Sequence, residues 1–279
     1  MIKTICVCGA GTMGSGIAQA AAQHGFHVLL YDLSQKVLDT ARQQVEKNLQ
    51  SLVEKKKISD HARQTILHHI RFVNEAAECV ADLVIEAVVE KPEVKIALFR
   101  QLFAINGDHT VFASNTSSLS ITAIAKELPD PSRVIGMHFF NPATIMRLVE
   151  IVRTDYTGDS VIQLVENLAI DMGKTPVICR DAPGFIVNRV ARPYYIESLR
   201  MAEEGVPMAL IDALMETAGF KMGPFRLMDL IGNDINYAVS CSVYEQLGKP
   251  ERLKPSYIQQ EKVESGQLGR KTGAGYYTY

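Results

Sequence analysis

Two groups of residues have types and spacings that can do chemistry. Gly9-Ala10-Gly11-Thr12-Met13-Gly14 is a G-x-G-x-x-G. In that pattern the first glycine permits a tight turn out of a strand. The second lets the backbone approach a diphosphate, and the third allows close packing of helix on strand. Thr12 and Met13 open the helix, where unpaired N–H groups and the positive dipole end favour a diphosphate. Asp32 stands 18 residues past Gly14, at the end of the second strand-like run. A carboxylate there accepts hydrogen bonds from ribose hydroxyls and repels a 2′-phosphate, so NAD is favoured over NADP. A flavin is compatible with the same glycines. The plain alternative is a structural turn, with Asp32 capping the next helix.

The second group centres on a histidine. Met137-His138-Phe139-Phe140-Asn141-Pro142 ends one strand-like run, and Leu148-Val149-Glu150 lies in the next. If 141–147 form a turn, the runs pair antiparallel about position 144 and His138 faces Glu150. A carboxylate beside an imidazole fixes its tautomer and stabilises the imidazolium, which makes a general base with its orienter. Oxidising an alcohol requires such a base, together with donors for the oxygen that becomes a carbonyl. On spacing alone a structural ion pair is an equal reading. Ser114-Asn115-Thr116-Ser117-Ser118 follows the run 111–113, at a strand end where an open α/β sheet binds ligands. Ser120 capping a helix near Ile121 is the plain alternative there. Lys55-Lys56-Lys57, with Lys47 upstream, reads first as a solvated helix face and second as a phosphate anchor for an acidic substrate. His24, His27, His61, His68, His69 and His109 have no comparable partner, and no metal site is read.

The elements that must position these groups follow from periodicity. Thr4–Cys8 and His27–Tyr31 read as strands, followed by helical patterns over 11–24 and 34–57. The charged segment 34–69 reads as two helices broken near Ile58-Ser59-Asp60, with Ser59 or Asp60 capping the second. Further apolar runs occupy 83–87, 111–113, 134–140, 148–152 and 176–179. This alternation predicts a Rossmann-type, doubly wound, mostly parallel α/β sheet with a helical insertion. After Asp181-Ala182-Pro183-Gly184 the apolar spacing turns helical. The expected domains are 1–183, binding the dinucleotide, and a smaller all-α domain, 184–279.

Composition excludes several classes. The 279 residues, 47% hydrophobic and 22% charged, have enough apolar content for a packed core, so disorder is excluded as the main state. A net charge of −2 argues against a nucleic-acid partner. Five scattered cysteines fit a reducing compartment. No signal peptide or membrane-spanning run is read, because Asp82 and Glu86 interrupt the greasiest stretch, 80–89. The expectation is a complete, soluble, cytoplasmic protein without membrane partners.

In order along the chain stand the glycine turn, Ser114-Asn115-Thr116-Ser117-Ser118, His138-Phe139-Phe140-Asn141-Pro142, Asp181-x-Pro183-Gly184-Phe185-Ile186-Val187-Asn188-Arg189, Met222-Gly223-Pro224-Phe225 and Gly269-Arg270-Lys271-Thr272-Gly273. Together they resemble the L-3-hydroxyacyl-CoA dehydrogenase family, in its short-chain, 3-hydroxybutyryl-CoA branch. The resemblance implies NAD as cofactor, a short-chain acyl-CoA as substrate and a homodimer built on the helical domain. It makes His138 the catalytic base and Glu150 its acidic partner. Ser117 and Asn188 become the residues that bind the 3-oxygen and support the histidine. Asn141, Glu90, Lys95 and Lys271 become cofactor contacts, and Asn48 and Lys55 contacts of coenzyme A. Thr144 departs from the proline that the family often carries there. The rival readings are a gulonate-type sugar-acid dehydrogenase on the same scaffold and a non-catalytic NAD(H)-binding protein. The latter would need none of Ser117, His138, Glu150 and Asn188.

Overall fold

The structure, a computed structural model, describes residues 2–279. The chain divides into two compact units, Met1–Asp181 and Ala182–Tyr279.

In the first unit, strands β1 (Thr4–Cys8), β2 (His27–Tyr31), β3 (Ile70–Val73), β4 (Leu83–Glu86), β5 (Val111–Ser114), β6 (Val134–Phe139), β7 (Leu148–Arg153) and β8 (Thr175–Arg180) form one sheet. Their spatial order is β3-β2-β1-β4-β5-β6-β7-β8. Neighbours from β3 through to β6 are parallel, β7 runs antiparallel to β6, and β8 is parallel to β7. The central strands β4 and β5 are buried throughout, as strands covered on both faces must be. The crossovers are α1 (Thr12–Gln23), α2 (Gln35–Glu54), α3 (Asp60–His68), α4 (Pro92–Ile105), α5 (Ile121–Lys126) and α6 (Asp159–Asp171). The sheet is thus doubly wound and mostly parallel, with α2 and α3 as the helical insertion. The strand order reverses between β1 and β4, and this switch point is where such a sheet leaves a crevice.

Local sequence accounts for most of these elements. In α2, Leu38, Ala41, Val45 and Leu49 make one buried stripe on an otherwise polar helix. Burying each leucine is worth roughly 1.5–3 kcal/mol, enough to hold a helix that propensity alone would leave marginal. Ser59 ends the insertion's turn and caps α3 by accepting from the Ala62 amide at 3.1 Å. Strand β3 is an addition to the sequence reading. Ile70-Arg71-Phe72-Val73 is short, carries a charge and follows a helical pattern, so periodicity does not reveal it. Pairing with β2, Val28 opposite Ile70 and Tyr31 opposite Val73, makes it a strand.

The second unit is helical: α7 (Val187–Glu203), α8 (Met208–Thr217), α9 (Pro224–Ile231), α10 (Asn233–Gln246) and α11 (Tyr257–Glu264). Its core packs Tyr195, Leu199, Ile211, Phe225 and Met228 together. Two buried aspartates organise its polar interior. Asp212 accepts from the amides of Phe225 (2.9 Å) and Arg226 (3.2 Å), which satisfies the start of α9. Asp229 accepts from the amides of Tyr276 (2.9 Å) and Tyr277 (3.0 Å), which ties down the C-terminal segment.

Candidate active site

The glycine turn joins β1 to α1, and its three glycines have three different reasons. Gly9 lies at φ +96°, and a Cβ there would sit 2.7 Å from the Ala87 carbonyl oxygen at the end of β4. A Cβ on Gly14 would fall 1.7 Å from the Gly9 carbonyl oxygen, so α1 can close on the turn only without one. A Cβ on Gly11 would meet nothing within 4 Å. Gly11 is the glycine that faces open space rather than protein.

A cleft of about 880 Å³ opens beside this turn, lined by Gly9, Gly11, Thr12, Met13, Asp32 and apolar side chains of α4 and the β2 end. Asp32 Oδ2 accepts from the Ala10 amide and Oδ1 from the Ser34 amide, both at 2.9 Å. Each oxygen retains a second lone pair that ribose hydroxyls can use. Leu33 is 84% exposed and Val89 60%, apolar surface that a flat heterocycle would cover. Among the described residues, no lysine or arginine lines the cleft to attract a 2′-phosphate. The cleft fits a dinucleotide of the NAD type.

The second centre lies at the carboxyl end of β6. His138 stands opposite Glu150 in the antiparallel register of β6 and β7. Its Nδ1 is 2.6 Å from Glu150 Oε2, and both side chains are buried. A carboxylate accepts at that distance, so the neutral imidazole carries its proton on Nδ1 and its basic lone pair on Nε2. The Phe140 ring packs against the imidazole with centroids 4.6 Å apart. Asn141 is exposed at the start of the β6–β7 turn, where its bond to Pro142 is cis.

Ser114–Ser118 forms the loop after β5. Asn115 is tied at both ends: its amide donates to the Glu86 carbonyl oxygen at 2.8 Å, and its side-chain oxygen accepts from the Phe139 amide at 2.8 Å. The loop thereby reaches the residue that follows His138. Glu90 Oε1 accepts from the Ser117 amide at 3.0 Å and from the Thr116 hydroxyl. Ser120 caps α5, accepting from the Ala123 amide at 3.1 Å, while its own hydroxyl donates to Asp181 at 2.7 Å. The plain alternative for this cluster therefore holds for Ser120, whereas residues 114–118 serve the loop.

The remaining residues singled out from the sequence are distributed as follows. Lys95 is 1% exposed, its ammonium 2.6 Å from Glu86 Oε1 and 3.1 Å from Glu90 Oε2. Neither Lys95 nor Glu90 lines the cleft beside the glycine turn. Asn48, on α2, donates to Gln19 Oε1 at 3.1 Å, and Lys55 is exposed at the C-cap of that helix. Asn188 lies in the first turn of α7, and Lys271 pairs with Asp234 at 2.6 Å; both belong to the second unit. Among the described residues, no group of three or more His, Cys, Asp or Glu is placed to hold a metal ion.

Glu86 went unread as a functional residue. It is fully buried at the end of β4, and burial pushes its carboxyl above the ordinary range against the opposing Lys95 charge. The available signal was an acid inside an otherwise apolar strand.

Residues 4–182 match the family model for the NAD-binding domain of 3-hydroxyacyl-CoA dehydrogenase, and 184–279 match its C-terminal domain. The chain is 47% identical, over its whole length, to a 3-hydroxyadipyl-CoA dehydrogenase of Escherichia coli, of which it spans 59%. It is 43% identical to a probable 3-hydroxybutyryl-CoA dehydrogenase of Deinococcus radiodurans, over 98% of this chain and 99% of that protein. The crystal structure of an (S)-3-hydroxybutyryl-CoA dehydrogenase from Ralstonia eutropha superposes with a TM-score of 0.96 at 36% identity, covering 100% of this chain and 99% of that one. The glycine turn with Asp32, the paired His138 and Glu150, and both halves of the chain thus agree in one assignment: the protein belongs to the 3-hydroxyacyl-CoA dehydrogenase family.

Proposed function

We propose that the protein interconverts L-3-hydroxyacyl-CoA and 3-oxoacyl-CoA with NAD, acting on short acyl chains such as 3-hydroxybutyryl-CoA. The observation that carries this reading is the 2.6 Å contact between His138 Nδ1 and Glu150 Oε2, on the same sheet as the dinucleotide turn. His138 takes the proton of the 3-hydroxyl on Nε2, and Glu150 stabilises the imidazolium that results. Ser117 donates to the oxygen as it becomes a carbonyl, a part that Asn188 shares in the family pattern. Gly11, Thr12 and Met13 offer backbone to the diphosphate and Asp32 holds the ribose. NAD, when bound, supplies the hydride acceptor for C3. In the reverse direction His138 returns the proton. Asn141, Glu90, Lys95 and Lys271 keep the cofactor roles, and Asn48 and Lys55 the coenzyme A roles, that the family resemblance assigns them.

The protein is further proposed to be a cytoplasmic homodimer. Five free cysteines, three of them buried, support a reducing compartment. Apolar side chains left exposed on the second unit, Leu210 (50%) and Leu214 (54%) among them, support association of copies. Among the described residues, no helix is long and apolar enough to cross a membrane.

The test is NADH consumption with acetoacetyl-CoA, with free acetoacetate, NADPH and a longer 3-oxoacyl-CoA as comparisons. Turnover with the thioester and NADH, and none with acetoacetate or NADPH, is the expected result. Turnover of L-gulonate with no response to any thioester would overturn it in favour of the sugar-acid reading.

A further inference from the structure

Glu86 is buried with a charge that nothing in the reaction requires of it. Its carboxylate accepts from three donors: the Ser114 hydroxyl on Oε2 at 2.6 Å, and Lys95 Nζ (2.6 Å) and the Val88 amide (2.7 Å) on Oε1. As a device for stability alone this is a poor choice, since an apolar pair of similar volume holds a core as well as a buried ion pair does. What the ion pair adds is direction, and both of its arms end on one loop. One arm is Ser114, where the loop leaves β5. The other runs through Lys95 to Glu90, whose Oε1 accepts from the Ser117 amide at 3.0 Å, the Ser118 hydroxyl at 3.4 Å and the Thr116 hydroxyl. Glu90 is itself 41% exposed, and a carboxylate in that setting holds its partners weakly unless something fixes it. The buried Lys95 ammonium beneath it does so. The main chain adds a third tie, from the Asn115 amide to the Glu86 carbonyl oxygen at 2.8 Å.

We propose that Glu86 is a positioning residue for the reaction: through Ser114 on one side and Lys95 with Glu90 on the other, it holds the 114–118 loop, and with it Ser117, in register with the end of β6. The catalytic part of this inference rests on the proposed activity, whereas the loop clamp does not. Asn115 carries the effect onward, because its side-chain oxygen accepts from the Phe139 amide beside His138.

Two variants test it, Glu86→Gln and the double variant Glu86→Gln with Lys95→Met, which removes both buried charges. Each is measured for kcat, for KM with NADH, for melting temperature and for amide hydrogen exchange in peptides covering 112–120. The expected result for Glu86→Gln is faster exchange at 114–118 and a kcat lowered roughly 10- to 100-fold, the scale of a small misplacement of a reacting group. KM for NADH is read separately and kcat is taken at saturating NADH, because Lys95 is both the partner of Glu86 and a cofactor contact in the proposed function. In the double variant the melting temperature recovers, because no unpaired charge stays buried, while exchange at 114–118 remains fast; exchange is the deciding readout there, since Lys95 is also a cofactor contact in the proposed function. Recovery of wild-type kcat and exchange together with melting temperature would reduce the pair to a structural ion pair and overturn the proposal. So would a folded Glu86→Gln whose exchange and kcat stay within about two-fold of wild type. If Glu86→Gln alone fails to fold, the double variant decides. If the wild type does not reduce acetoacetyl-CoA, the proposed reaction fails, and exchange at 114–118 still decides for or against the clamp.

Discussion

In the proposed reaction His138 and Glu150 divide one task between a base and the group that orients it, and the division sets what each substitution does. His138→Ala removes the proposed base and is expected to lower kcat by about 10²–10⁴-fold, and to lower the melting temperature as well, because the buried Glu150 loses its 2.6 Å partner. Glu150→Gln keeps the shape but offers an amide that can donate to Nδ1, favouring the tautomer whose proton sits on Nε2. A loss of about 10⁴-fold follows when an orienting carboxylate is neutralised in this way. Steady-state kinetics with acetoacetyl-CoA and NADH measure both, and a Glu150→Gln enzyme with wild-type kcat would remove the orienting role. In the proposed function Asp32 serves the cofactor, and its carboxylate also ties the turn by accepting from the Ala10 and Ser34 amides. Asp32→Ala is expected to weaken NADH binding by roughly 10- to 100-fold, the worth of one hydrogen bond to a charged group, and to narrow the preference over NADPH, leaving KM for the thioester near its wild-type value. Titration of each cofactor reads the first two effects directly.

At the scale of elements, the glycine turn separates folding from binding within six residues. Gly14→Ala drives a methyl group onto the Gly9 carbonyl oxygen, so α1 must shift from β1. The expected cost is about 3 kcal/mol, at the upper end for overpacking. Gly11→Ala meets no protein atom, and the residue has an ordinary extended conformation (φ −69°, ψ −169°). It is expected to leave stability within about 0.5 kcal/mol of wild type while NADH affinity falls. Denaturant titrations and cofactor binding on the two variants check this contrast; equal affinity loss with equal destabilisation would contradict it. The hairpin of β6 and β7 shows the same economy. A slip of one residue would turn Glu150 to the other face of the sheet, so the register is itself part of the proposed active site. That register was legible from the distance between His138 and Glu150 about a turn. The loop clamp was not, since Ser114, Glu86 and Lys95 lie on three different elements.

At the scale of the molecule, the exposed leucines of α8 make the oligomeric state testable. Replacing Leu210 and Leu214 together by glutamate is expected to convert the proposed dimer into a monomer in sedimentation experiments while circular dichroism stays unchanged. A doubly substituted chain that sediments as the wild type does would place the interface elsewhere. The sequence alone determined what depends on neighbours along the chain. The alternation of period 2 and period 3.6 announced the strands and helices, Ser59 and Ser120 announced their helix starts, and three glycines with Asp32 announced the nucleotide turn, because steric and capping demands act over a few residues. Tertiary structure alone decided β3, which is a strand because β2 pairs with it. It also decided which acids are buried. Asp212 and Asp229 are buried because the α9 start and the C-terminal segment donate to them. Glu86 lies 28 residues from the Ser114 hydroxyl that binds it. Whether a charge is buried, and what satisfies it, is set by surfaces that meet only when distant segments pack, and no periodicity along the chain encodes that meeting.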